Sequence, residues 1–297
     1  MRAFVLFSLT LVVSVSSLVE VHTNYHDNIG IPEAERIRVL EEEIFAKNDF
    51  VLNDPSENRI VGGVLAPANA HPYFGGLLVD LIGGGRGVCG SSLLSPNRLV
   101  TAAHCWFDGV RQGWQVLVIL GSNFLYSGGE RITTSHVIMH PQYFPQLLTN
   151  DVAMIYLPRN ANVNNFSVKS IRLPNGSELW NQFVGHSAVA AGFGKTSDQQ
   201  QAASTVVSHV NLNVISHAQC NVFTPGFVTF STICTSGFGG VGICGGDSGG
   251  PLVTYDNNGE PFLIGVSSFA AYNACQRGHP SAYARVTSFH DFITQHL

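Results

Sequence analysis

Lysine is scarce in this chain: Lys47, Lys169 and Lys195 stand against twelve arginines. Lysine loses its charge near pH ~10 and arginine does not, so the bias suits an alkaline milieu; codon bias of the lineage accounts for it equally well. Charge of either sign is sparse, at 12% of 297 residues. The formal net charge of −5 belongs to residues 1–59, which hold five basic and ten acidic residues, whereas residues 60–297 hold ten of each. With no basic patch and no charge block, nucleic acid and membrane surfaces are excluded as partners. Beyond residue 17 no apolar run is long enough to cross a bilayer. Residues 1–17 have a basic start at Arg2, a mostly apolar run from Ala3 to Val15 and small residues at Val15-Ser16-Ser17. They read as a secretory signal, because the run is too short for an anchor and is interrupted by Ser8, Thr10 and Ser14. No cysteine precedes Cys89, and no two cysteines stand in a C-x-x-C pair, which argues against zinc. The six that are present, Cys89, Cys105, Cys220, Cys234, Cys244 and Cys275, are an even number in an exported chain. They read as three disulfides, for which sequence alone allows fifteen pairings.

Apolar residues make up 45% of the chain, alongside 31 glycines and 13 prolines, enough for a large core with frequent turns. From Ile60 onward short apolar or alternating runs are punctuated by Gly, Pro, Asn and Ser. Examples are Tyr73 to Leu81, Val88 to Leu94, Gln115 to Leu120, Val152 to Leu157, Ser187 to Ala191, Val206 to Val214 and Pro261 to Ser267. This predicts an all-β chain, barrel or sandwich, with the number of domains left open. Thr287 to Leu297 spaces Phe289, Phe292 and Ile293 as a helix does. Residues 18–59 are polar and acidic, with Glu41-Glu42-Glu43, and Ile37, Leu40 and Ile44 after Pro32 predict a short amphipathic helix.

One stretch organises the rest: Gly245-Gly246-Asp247-Ser248-Gly249-Gly250-Pro251. A serine hydroxyl is a poor nucleophile at neutral pH and needs a base for its proton and donors for the oxyanion that follows. Glycines let backbone N–H groups converge beside it. Upstream stand Thr101-Ala102-Ala103-His104-Cys105 and Asn150-Asp151-Val152-Ala153. The order His104, Asp151, Ser248 matches one of three unrelated arrangements of the Ser-His-Asp triad. On these motifs residues 60–297 resemble the chymotrypsin-like, trypsin-fold serine proteases.

The resemblance implies two six-stranded Greek-key β-barrels with a C-terminal helix, joined near Leu173-Pro174-Asn175-Gly176, with the site in the cleft between them. It implies that Asp151 orients His104, that His104 serves as base and then acid, and that Ser248 attacks, with Gly246 and Ser248 supplying the oxyanion hole. It selects the disulfides Cys89–Cys105, Cys220–Cys234 and Cys244–Cys275, a loop like the first contributing roughly 3 kcal/mol. Arg59 before Ile60-Val61-Gly62-Gly63 resembles a zymogen activation site, where the freed Ile60 amine pairs with Asp247. The expected organisation is thus a signal at 1–17, an activation propeptide at 18–59 and the peptidase at 60–297. No cysteine in the propeptide would hold it after cleavage.

Six residues before Ser248, where trypsin-like members keep a carboxylate, stands Gly242, followed by apolar Ile243. A buried cationic substrate side chain without a counter-charge is costly, so specificity for Lys or Arg is disfavoured. Asp80 or Asp291 would supply one only under a different alignment. Ser268, Phe269 and Ala270 align with the Ser-Trp-Gly strand that lines the pocket, and Ser281 stands where many members have Gly. Ala270 and Ser281 are expected to narrow the pocket and Gly242 to leave its floor open. The expectation is hydrolysis after aromatic or medium apolar residues, each methylene being worth about 1–3 kcal/mol. Elastase-like or broad collagenase-like specificity, or a non-catalytic homologue acting by binding, are the alternatives.

Within the family the chain resembles insect digestive chymotrypsins, which implies secretion into a gut lumen. Protein and peptide substrates, an activating trypsin-like protease and protease inhibitors are the expected partners of a monomer. No cofactor is expected. His136, His140 and the singly scattered His71, His186, His209, His217, His279, His290 and His296 read as surface or packing residues, with no metal site. The loop Gly121 to Arg131 holds one acid, Glu130, too few oxygens for calcium. Asn165-Phe166-Ser167 and Asn175-Gly176-Ser177 are glycosylation sequons.

Overall fold

The computed structural model describes residues 23–47, 62–195, 197–198, 206–272 and 274–297. Residues 1–17, Arg59 and Ile60 lie outside the described residues, so the signal and the activation bond do too. The strands are β1 (Val64–Leu65), β2 (Phe74–Leu81), β3 (Arg86–Ser95), β4 (Arg98–Thr101), β5 (Gly113–Leu120), β6 (Glu130–Thr134), β7 (Val137–Met139) and β8 (Ala153–Tyr156). The second half adds β9 (Ser187–Gly192), β10 (Ser208–Ile215), β11 (Thr232–Thr235), β12 (Pro251–Tyr255), β13 (Pro261–Phe269) and β14 (Ser281–Arg285). The strands fall into two sheets, ordered β6-β5-β2-β3-β4-β8-β7 and β1-β10-β11-β14-β13-β12-β9.

Each sheet curls into a barrel. In the second, β9 also pairs with β10, from Ser208 opposite Gly192 to Asn213 opposite Ser187, which closes a ring of six strands. The two-residue β1 is appended to its outside on β10. In the first, β6 and β7 are parts of one chain segment bent at Ser135 and His136, so a six-stranded barrel is counted as seven strands. Side chains alternate as a half-buried strand requires, clearly so in β10, where Val210, Leu212 and Val214 point inward. The connection between barrels is longer than the four residues expected. It runs from β8 to β9, where Arg172 binds Glu178 and Asp256 and lies over the Phe262 ring at 4.4 Å.

The structure pairs Cys89–Cys105, Cys220–Cys234 and Cys244–Cys275, with Cα separations of 6.2, 6.2 and 5.7 Å. The chain ends in a short helical turn and then a helix over His290–Gln295, with Ile293 fully buried.

The N-terminal helix is not short. A π-helical turn at His26–Gly30 leads into α1 (Ile31–Lys47), and the pair lies across β3. Ala34 and Ile37 of α1 are buried in a cluster with Phe74, Leu78, Val88, Ile119 and Leu125 of the first barrel and Ala191, Phe193 and Val207 of the second. One apolar cluster therefore holds three bodies together. Phe193 sits within it, 1% exposed and 5.7 Å from Phe74 between ring centres. Truncating such a ring costs about 3–5 kcal/mol. Phe193→Ala is expected to lower the urea midpoint correspondingly with little change in the m-value, and a loss below about 1 kcal/mol would mean that the cluster is not a keystone of the fold.

Candidate active site

His104 lies on a helical turn, Ala103–Cys105, immediately after β4. The Cys89–Cys105 disulfide ties that turn to β3, and Thr101 Oγ1 donates to Gly90 O at 2.8 Å. Asp151 precedes β8, behind Asn150, which adopts φ +54° and anchors its side chain on Gln142 O. Asn tolerates that left-handed backbone better than most residues. The turn delivers the Asp151 carboxylate to His104: Oδ1 accepts from His104 N at 2.9 Å and Oδ2 from His104 Nδ1 at 2.7 Å. Ser268 Oγ, from β13 of the other barrel, donates to the same Oδ2 at 2.5 Å. Nδ1 therefore carries the proton, and Nε2 is left free to accept one.

Ser248 stands on the turn before β12, tethered by Cys244–Cys275. Glycines let the two barrels meet there. Gly90 N donates to Ser248 O at 2.7 Å, and a Cβ on Gly90 would come within 2.8 Å of Gly250 Cα. Gly246 has φ +104°, a backbone conformation strained for any other residue, and lies tightly against Gly194. Asp247 is buried beyond it, accepting from Gly194 N at 2.8 Å and Cys244 N at 2.9 Å.

His104 Nε2 is buried and has no hydrogen-bond partner among the described residues. The cleft is filled instead by the N-terminal segment. The Tyr25 ring stands edge-on to His104 at 4.8 Å between centres, and its hydroxyl donates to Val88 O at 2.7 Å. Burial raises the Tyr25 pKa, and the neighbouring Ser248 side chain opposes that rise. The base and the nucleophile thus both face a tyrosine of their own chain.

Around Ser248 the cleft is lined by Ile243, Ser268, Phe269 and Ala270, four of the residues expected about a substrate pocket, and also by Leu148, Lys195, Ala271 and Tyr272. Gly242 and Ser281 are not part of this lining. The floor at Gly242 is not open: Ser281 Oγ lies 2.6 Å from where a Gly242 Cβ would stand and accepts from Ile243 N at 3.1 Å. Ser281 thus fills the space over Gly242 without lining the cleft beside Ser248. Asp80 is occupied by Arg86. Glu130, the one acid of the 121–131 loop, is bound by Arg159 and Asn162 N. His71 and His209 are not isolated but bonded to each other, Nε2 to Nδ1, at 2.7 Å.

Tyr25, Ile29, Leu148 and Lys195 escaped the sequence reading. A signal for the segment that carries the first two does exist in Gly87, since glycine within a strand marks close approach of another stretch of chain, and it is His26 that lies there.

Two barrels with a serine, a histidine and a carboxylate meeting between them define the class of chymotrypsin-like serine hydrolases. The trypsin family model matches residues 60–293. The chain is 37% identical to a collagenase of Hypoderma lineatum over 80% of this chain and 87% of that protein. It is 34% identical to brachyurin of Leptuca pugilator over 79% of this chain and 96% of the relative. The solved structure of HL collagenase superposes with a TM-score of 0.72 at 34% identity, covering 80% of this chain and 98% of that one. The chain belongs to the trypsin family and is a serine endopeptidase.

Burial pushes the Asp247 carboxyl up to about 7, against the two backbone N–H groups that favour its charge. An acid with a raised folded-state pKa costs nothing while protonated. The cost of Asp247 is therefore absent below about pH 4, grows toward pH 7 and is complete above it, on the order of 4 kcal/mol at most. His26 and His71, both lowered to about 4 by burial, change stability in the opposite direction, so the contribution of Asp247 is read as a difference. Between about pH 4.5 and about pH 8 the urea midpoint of the uncut wild-type chain is expected to drop relative to that of Asp247→Ala, and an identical pH dependence in both proteins would remove Asp247 from the account.

Proposed function

We propose that this chain is a secreted proenzyme, with a signal at 1–17 and an activation propeptide at 18–59, cut after Arg59 by a trypsin-like protease. The mature enzyme hydrolyses proteins after apolar residues, probing a pocket that suits Leu, Met and Phe, and serves digestion in a gut lumen. Ser248 attacks the carbonyl. His104 Nε2 takes its proton and returns it to the leaving amine, held in the correct tautomer by Asp151 and Ser268. Gly246 N and Ser248 N receive the oxyanion. The Ile60 ammonium supplies the cation that buried Asp247 lacks among the described residues.

The observation that carries the specificity is the lining beside Ser248, where Leu148, Ile243, Phe269, Ala270 and Ala271 stand with the cation Lys195 and no carboxylate; behind it the Ser281 hydroxyl occupies the space over Gly242. An arginine entering it would be desolvated with no counter-charge. A second reading, favoured by the 37% identity to a protein named collagenase, extends the substrates to collagen.

A series of peptide substrates cut after Phe, Leu, Ala and Arg tests both readings on chain cleaved at Arg59, with Ser248→Ala as control. Leu and Phe should lead in kcat/KM, with Arg lower by roughly a hundredfold or more and the control inactive. Ser281→Gly deepens the pocket and should raise the Phe-to-Ala ratio by roughly tenfold. A wild-type preference for Arg overturns the apolar reading, and loss of helical collagen in an electrophoretic assay would establish the second.

A further inference from the structure

We infer that residues 25–47 are a non-covalent peptide inhibitor of this enzyme, seated on a surface of the catalytic domain shaped to receive them, and that they stay bound after the chain is cut at Arg59. The inference rests on the reading of Arg59 as the activation bond.

The site is blocked at the reacting atoms. Tyr25 faces both Ser248 and His104, and Ile29 lies in the same cleft. No substrate carbonyl reaches Ser248 while that ring is in place.

The receiving surface is hollowed at the positions where the segment presses on it. Gly87 on β3 has no side chain where the His26 ring lies, and a Cβ there would overlap the imidazole. A Cβ on Gly85 would come within 2.8 Å of Ile31 Cδ1, and one on Gly245, beside the nucleophile, within 3.0 Å of Ile29 Cγ2. Three glycines on two different barrels thus accommodate three successive anchors of one peptide.

Polar anchors hold both ends. His26 N donates to buried Asp108 Oδ2 at 2.7 Å, and His26 Nε2 bonds Cys105 O at 3.1 Å, next to His104. At the far end the Glu41 carboxylate, 1% exposed, accepts from Leu125 N at 2.7 Å and Tyr126 N at 3.0 Å, while Tyr126 OH donates to Ala34 O at 2.9 Å. A buried carboxylate is costly unless its hydrogen bonds are made, so Glu41 specifies this seat rather than merely coating it. Between the ends Glu33 meets Lys195 at 3.2 Å. The acidic segment and the cation at the mouth of the cleft are therefore partners.

The cut leaves these contacts intact. Every contact named lies at or before Glu41 or at or after Phe74, and the bond after Arg59 falls between them, outside the described residues. All six cysteines pair within Cys89–Cys275, so nothing covalent retains the segment. Before the cut the segment competes at the high effective concentration of a tethered ligand; afterwards it is an ordinary ligand that mass action can dilute away. Activation then takes two steps, cleavage and release.

The test uses the full chain with residues 55–59 replaced by Asp-Asp-Asp-Asp-Lys, so that enteropeptidase cuts before Ile60 and spares Arg36 and Arg38. After cleavage at about 10 μM, size-exclusion chromatography with mass spectrometry should find the N-terminal segment co-eluting with the catalytic chain, in wild type and in Ser248→Ala alike. Activity per molecule should rise roughly tenfold or more on dilution to about 10 nM. Tyr25→Ala should be fully active on cleavage with no effect of dilution. Glu41→Ala, which leaves the cleft untouched, should release the segment in the same way if the first variant folds poorly. A wild-type segment that separates on the column, with activity independent of concentration, overturns the inference. A cleaved Glu41→Ala chain that has shed its segment on the column and still hydrolyses nothing refutes the proposed function, while co-elution of the wild-type segment leaves the docking standing.

Discussion

The Asp151 carboxylate is the constraint on which the rest depends. It is 1% exposed and lies where the barrels meet, and it accepts three hydrogen bonds, two from His104 of the first barrel and one from Ser268 of the second. A buried charge is tolerable only when fully bonded, and here the bonds come from both halves of the molecule. The two barrels therefore cannot shift relative to each other without stripping it. The same requirement positions the imidazole, so the geometry of the reaction and the docking of the barrels are one problem with one solution.

Space is the second constraint, and glycine meets it. Gly90 against Gly250 and Gly246 against Gly194 let backbone approach backbone around Ser248. Gly85, Gly87 and Gly245 do the same for a peptide that arrives from the N-terminal end of the chain. Cβ-sized hollows are not stabilising by themselves, because an unfilled gap forfeits contacts on its walls. Their alignment under His26, Ile31 and Ile29 makes them a seat rather than slack.

How far the sequence could be read follows from the range of each interaction. Residues before and after Ser248, His104 and Asp151 were legible because the chemistry demands particular residues in short local motifs. Two barrels could be named by resemblance, whereas alternation alone did not separate barrel from sandwich. That choice depends on β9 pairing with β10 across a ring, which no local pattern encodes. The pocket floor was misjudged for a similar reason. Ser281 and Gly242 are distant in sequence, and only the register of β14 brings the Ser281 hydroxyl over the empty position. The N-terminal segment was the largest omission. Its heptad-like apolar residues predicted a helix, but not that Tyr25 and His26, ahead of the helix in a polar stretch, would bury themselves against His104 and Asp108.

Two controls on one serine then divide the work by mechanism. In the proposed activation, a buried Asp247 without a cation among the described residues concerns the shape of the turn that carries Ser248, and the new charge at Ile60 is what it answers to. A tyrosine over His104 concerns access, and it responds to concentration. The first is intramolecular and is reversed only by losing the amine; the second is an equilibrium whose midpoint is a dissociation constant. An enzyme that hydrolyses proteins is most dangerous where it is most concentrated, at its site of synthesis, and there an equilibrium inhibitor made in equal amount is most nearly saturating. The same segment becomes ineffective once the enzyme is diluted among its substrates. Covalent tethering of the segment, through a cysteine ahead of Cys89, would have abolished that distinction.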